Sequence, residues 1–125
     1  MTIRNEGLTK VYTAGAAISA RRLVKFDSDD RTVIQGAAGA DLLIGVSDLA
    51  AATGERVDVI HTEVATVEYG GNVTRGQLLM SDSVGRAITA TASAGVNVRY
   101  AGVAIVSGVS GDLGAILLAP GSLQG

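Results

Sequence analysis

His61 is the only histidine of the chain, and there is no cysteine. The side chains able to act as a base near neutral pH or to bind a transition metal are therefore this imidazole and the carboxylates. His61 lies inside the alternating stretch RVDVIHTEVATVEY, with no second ligand at a spacing that a metal site needs. A Ser-His-Asp hydrolase of the nucleophile-elbow type needs G-x-S-x-G, and the nearest string, GVSG from Gly108 to Gly111, is one residue short. DSDDRT from Asp27 opens like a calcium-binding loop, but Thr32 and Ala38 stand where a Gly and a bidentate Glu are required. Asn72-Val73-Thr74 matches a glycosylation sequon; the opening MTIRNEGLTK has no apolar run of a secretory leader, so a turn leading into a strand is the expected reading. Neither G-x-G-x-x-G nor a P-loop occurs. No enzyme, no cofactor and no metal is expected.

The elements that carry these residues follow from composition. The chain has 125 residues, a length that predicts one domain with its own core. Net charge is −2 with the charges scattered, so no nucleic-acid partner is expected. The longest apolar stretches, such as AGVAIV, are far short of a membrane span, so no membrane is expected either. Absence of cysteine fits synthesis in a reducing cytosol. Aromatics are confined to Tyr12, Phe26, Tyr69 and Tyr100, while Gly makes up 17 residues. The core must therefore be Val, Ile, Leu and Ala between tight turns, which is β-like.

A repeat is visible. KFDSDDRTVI from Lys25 and LMSDSVGRAI from Leu79 both lead an apolar pair into an Asp-Ser step, 55 residues apart, and then an Arg that opens a β-branched run. Gly45 and Gly54 are answered by Gly102 and Gly111 at an offset of 57. Two copies of one module, about 18–62 and 73–119, are expected, too few for a solenoid.

Along the chain, 1–14 has no clear period and reads as an extended N-terminal arm, with 15–125 as a single β domain. Hairpins are expected around Asp27-Ser28 and Asp82-Ser83. SDLAAATGE suggests one helical turn ended by Gly54. The alternation from Val57 to Tyr69 predicts a long or bent strand, YGGN a turn with glycines able to take positive φ, and LGAILLAP a last strand stopped by Pro120-Gly121. The predicted fold is all-β, a compact barrel or β-tulip-like domain built from two similar halves, with at most one or two short helical turns.

A two-copy, Gly-rich β module also suggests a barrel-sandwich carrier or ligand-binding domain, which would present a modified lysine at a hairpin tip. The chain has only Lys10 and Lys25, and Lys25 lies within a strand before the turn.

AGAAISARRLVKFD, GERVDV from Gly54, GGNVTRGQLL from Gly70, GRA from Gly85 and the closing AGVAIVSGVSGDLGAILLAPG together resemble the capsid decoration, or cement, proteins of tailed bacteriophages. The resemblance covers about 14–121 in the same order; one departure is Arg21-Arg22, set against Arg75-Gly76 in the second copy. It implies a virion protein, made in the host bacterial cytoplasm, that binds the outer capsid surface as a homotrimer at three-fold and quasi-three-fold sites. There it would cement neighbouring capsomers of the major capsid protein against internal DNA pressure, without catalysis. In that setting the arm is the expected contact, adding a strand to its partner while Ile3, Leu8, Val11 and Tyr12 fill pockets and Arg4 lies beside them.

Overall fold

The computed structural model describes residues 8–125. Ten strands follow in order: β1 (Thr9–Ala14), β2 (Leu23–Phe26), β3 (Thr32–Gln35), β4 (Leu43–Ser47), β5 (Arg56–Ile60), β6 (Glu63–Glu68), β7 (Leu78–Ser81), β8 (Ala87–Thr89), β9 (Val98–Ala104) and β10 (Leu113–Leu123). Among the described residues there is no helix, and the all-β expectation holds.

The first five strands form a closed barrel in the order β1-β3-β2-β4-β5; the second five form a sheet in the order β6-β10-β9-β7-β8. These are one topology written twice. Strand β1 runs antiparallel to β5 and β6 antiparallel to β10. Ala14 bridges Val33 in parallel, and Tyr69 bridges Ala87 in parallel, so the second sheet closes through a single bridge where the first uses a strand pair. The loop bonds repeat as well. The Ala14 amide donates to the Glu55 carbonyl and the Tyr69 amide to that of Asp112; Ile18 and Ala51 exchange two bonds, as do Val73 and Gly108. Gly54 and Gly111 both take positive φ, +84° and +90°.

The Asp-Ser turns close by local side-chain chemistry. Asp29 accepts from the Arg31 amide, and Asp82 accepts from the Val84 and Arg86 amides and from Arg86 Nε. The Asp27 amide reaches the Thr32 carbonyl, while the Asp82 amide reaches that of Arg86, so the second turn is one residue shorter.

Several expectations need correction. Thr9–Ala14 is no free arm: it is the first barrel strand, with Tyr12 and Ala14 buried and Thr9, Val11 and Thr13 opposite Ile60, Asp58 and Arg56. The structural repeat accordingly begins at β1 and β6, earlier than the expected 18 and 73. The helical turn does not form, because Ala51 is held in a bridge to Ile18. The bent strand is two strands, parted where Glu63 takes a φ of +63° and the chain passes between the halves. Gly70 and Gly71 do not have positive φ. Pro120 and Gly121 do not end β10; they sit in it where the register against β9 shifts, a site at which proline's missing N–H costs no ladder bond. Arg21, at φ +62°, occupies the place that Gly76, at φ +92°, fills in the second half, so these two residues correspond.

Two apolar clusters hold the fold. One fills the first barrel with Tyr12, Ile18, Val24, Val33, Val57 and Val59. The other runs from Tyr69, Val67, Leu79 and Ile116 across the junction to Leu23, Leu43, Val46 and Ile60 of the first half. Strands β2 and β5 therefore bury consecutive residues, Leu23 with Val24 and Val59 with Ile60. One of each pair faces the barrel interior and the other the opposite half. Ion pairs also cross the junction, with Arg22 on Glu68 and the Glu68–Arg86–Asp82 chain beside it.

The 36–42 loop packs on the second half and turns about Asp41, which accepts from the Ala37 and Ala38 amides and from Lys25. Desolvation pushes this carboxyl up, but the Ala37 amide, the Lys25 ammonium and the Ala38 amide together outweigh it and hold the carboxyl below the usual carboxylate range. With the folded value below the unfolded one, the stabilisation is complete above the ordinary carboxyl pKa and disappears as pH falls through the folded value. Asp41→Asn should cost about 1–2 kcal/mol at pH 7, and its deficit should shrink as unfolding is measured at successively lower pH below about 4. A deficit independent of pH would show that the charge plays no part.

Candidate functional site

His61 and Tyr12 are hydrogen-bonded to each other in the first half. Tyr12 Oη lies 2.7 Å from His61 Nε2, and His61 Nδ1 lies 2.8 Å from the Ile44 carbonyl oxygen. With Nδ1–H donating to the carbonyl, Nε2 accepts from the tyrosine hydroxyl, which burial pushes toward a higher pKa and so keeps protonated. Both ring nitrogens are engaged in joining β1, β4 and β5, a structural arrangement. Tyr69, which stands in the second half where Ala14 stands in the first, is fully buried and donates to the Val106 carbonyl at 2.7 Å, and burial raises its pKa too. Among the described residues no three His, Cys, Asp or Glu side chains come together as a metal site. Lys25 is drawn onto Asp41 at 3.1 Å and is not at a turn tip.

Of the residues expected to touch a partner, Ile3 and Arg4 lie outside the described residues. Leu8 is 62% exposed, its amide donating to Thr62 Oγ1 and its carbonyl accepting from the His61 amide. Val11 is exposed on the barrel's outer face, beside an open depression of about 610 Å³ that Lys10, Arg31 and Arg56 also line. Tyr12 points the other way, into the core. The structure thus separates residues that the sequence grouped together: Leu8 and Val11 remain available to a partner and Tyr12 does not.

Two further surfaces were not anticipated. Phe26, Leu42 and Ile44 line one depression, and Leu42 and Ile44 continue into a second with Tyr100 and Pro120. Two of the chain's four aromatic side chains are therefore placed at the surface, on one continuous groove, while Tyr12 and Tyr69 are buried. The other surface lies on β6, β10 and the residues just after β9, where Val64, Thr66, Ile105, Leu113 and Ala115 line a depression of about 240 Å³. Phe26 is a sequence signal for the first, as an aromatic beside a polar turn. The second had none, since apolar residues facing outward read the same as those facing inward.

The phage cement protein family model matches residues 3–118. The chain belongs to the phage cement protein family. The match spans both halves of the duplication, and membership makes this cement protein a capsid-associated structural protein of a bacteriophage. Its fold is similar to a solved structure described as the head fibre gp8.5 N base of bacteriophage phi29, with a TM-score of 0.68, 17% identity, and coverage of 90% of this chain and 93% of that one. At that identity the likeness bears on the fold alone, and it extends over both halves. Comparison with curated proteins finds no match.

Proposed function

We propose that this cement protein binds the outside of the capsid as a homotrimer at three-fold and quasi-three-fold sites, bridging subunits of the major capsid protein so that they resist the pressure of packed DNA. The observation that carries this reading is the family match over both halves. The physical logic is that a gap between capsomers can open only after the bridging contacts are lost, so each bound copy adds its association free energy to the closed shell. Linking three copies makes the second and third attachments intramolecular and raises their occupancy without any new contact. The groove of Phe26, Leu42, Ile44, Tyr100 and Pro120 supports a protein partner, because aromatic side chains in apolar pockets dominate the energetics of such contacts.

The expected arm is proposed here only for the residues before β1, since β1 belongs to the barrel. We keep it as one contact with the capsid, made by strand addition. Deleting residues 2–7 leaves β1 whole and should weaken binding to undecorated heads about tenfold, the loss of about 1.4 kcal/mol of contact. Occupancy equal to that of the full chain would reject the arm. For the cementing reading itself, heads carrying the protein should survive heating that disrupts bare heads, and native mass spectrometry of protein released from heads should show trimers. Equal survival of decorated and bare heads would reject cementing.

A further inference from the structure

The duplication provides an internal comparison, because each surface position of one half has a counterpart in the other. On the outer face of the first half, the Asp48 amide donates to the Asp58 carbonyl; in the second half the Ile105 amide donates to the Ala115 carbonyl in the same way. This correspondence pairs Asp48, Arg56 and Asp58 with Ile105, Leu113 and Ala115. In the first half the face carries ion pairs: Arg21 holds Asp48 at 2.7 Å, and Arg56 lies 3.5 Å from Asp58. In the second half all three positions are apolar.

On the neighbouring strand β6, Glu68 lies opposite Leu113, Thr66 opposite Ala115 and Val64 opposite Leu117, so the contrast between the halves rests on β10 and the end of β9. The inward positions that alternate with them, Ala65, Val67 and Ile116, are core. From Leu113 to Leu117 strand β10 is therefore apolar on both faces, whereas an antiparallel sheet with one face in water alternates apolar and polar. Leu113 is 63% and Leu117 43% exposed. A sheet face of this kind in one half, charged in the other, marks a surface covered by a partner.

Size and rim identify the partner's chemistry. Three strands about 4.8 Å apart and five residues rising about 3.3 Å each give a face of only roughly 200–300 Å². A stable complex of two free proteins buries about 800 Å² on each, so this face is too small to hold two free copies together. It suffices where several copies attach to one rigid surface and each attachment raises the occupancy of the next. The rim carries three carboxylates, exposed Glu63 at the start of β6, exposed Asp112 just before β10, and Glu68 opposite Leu113; Glu68 is paired with Arg22 and Arg86, while neither β6 nor β10 contains Lys or Arg.

We propose that the outer face of β6, β9 and β10 is the foot by which this protein sits on the capsid shell, over an apolar patch edged by Lys or Arg, with the charged outer face of the first half turned to solvent. The proposal rests on the capsid-binding reading and adds an orientation to it: the duplicated halves have divided the two sides of the molecule between them.

The test uses the full chain on undecorated heads of its own phage. Leu113→Lys with Leu117→Lys should lower occupancy at a fixed concentration at least about tenfold while the thermal midpoint changes little, because both side chains are already exposed. Arg56→Ala with Asp58→Ala, at the matching face of the first half, should bind as wild type. Should the lysine pair fail to fold, Ile105→Glu alone should give the same loss of occupancy. Undiminished binding by folded variants of the second half, or equal loss from the first-half pair, overturns the foot. So does a lysine pair that abolishes oligomers of the free protein yet still decorates heads, which would make the face a contact between copies. Wild-type protein that does not bind heads at all overturns the capsid reading, and the foot with it.

Discussion

Gly102→Ala is expected to lower the thermal midpoint by roughly 10 °C or more, the consequence of a loss of about 3 kcal/mol in a domain of this size. Gly102 lies in β9 directly opposite Leu118 of β10, and a Cβ added there would overlap the Leu117 carbonyl. The obstacle is backbone in a paired strand, so relief requires parting β9 from β10 and giving up ladder bonds on both sides. The duplication supplies a second instance: Gly45 in β4 approaches the Ile60 carbonyl in the same manner, and Gly45→Ala should cost a similar amount. A contrast is available in Gly54, which has a φ of +84° but open space where a Cβ would go. There Ala suffers only the left-handed backbone penalty, about 1 kcal/mol, a few degrees. Far-UV circular dichroism melts of the three variants check this. Gly102→Ala melting alongside Gly54→Ala would mean that the strands have room to yield.

The second large effect concerns the junction. Glu68→Ala should destabilise by about 2–3 kcal/mol, more than removal of its partner does, because a charge left without its counter-ion in a partly buried site costs more than a pair replaced together. Arg22 Nη2 is 3.3 Å from Glu68 Oε1, Arg22 Nη1 donates to the Val84 carbonyl at 2.8 Å, and Nε is buried without a partner. Removing Glu68 thus strands a guanidinium whose hydrogen bonding is already incomplete. Arg22→Met keeps most of the apolar stem and should cost about 1 kcal/mol or less; Glu68→Ala in that background should cost under about 1 kcal/mol, a coupling that chemical denaturation of the four proteins in a cycle will read. Additive costs would show that Arg22 and Glu68 are neighbours without energetic connection, and that the apolar contacts of Leu23 and Ile60 hold the halves together.

Both effects turn on residues whose importance was partly visible beforehand. Gly45 and Gly102 stood out as a matched pair, but only as repeated letters; that each faces a carbonyl of the next strand depends on where β5 and β10 return, 15 residues later. Arg22 was noted as a departure from the second copy. Its contact with Glu68 spans 46 residues, a separation over which no local pattern carries information.

By itself, the order of residues determined what local chemistry determines. The Asp-Ser turns form because Asp side chains accept nearby amides, the alternating stretches become strands because side chains point to opposite faces at every step, and the glycine spacing announced a module written twice. It also determined family membership, since that is a property of the string. Tertiary structure alone decided which face of each strand meets water. Strand β1 looked like an arm because its partners, β5 and β3, lie far along the chain and supply the hydrogen bonds and the core that make it a strand. The outward apolar face of β10 was indistinguishable from core for the same reason: period 2 tells which residues share a side, and only the packing of one half on the other tells which side is inside.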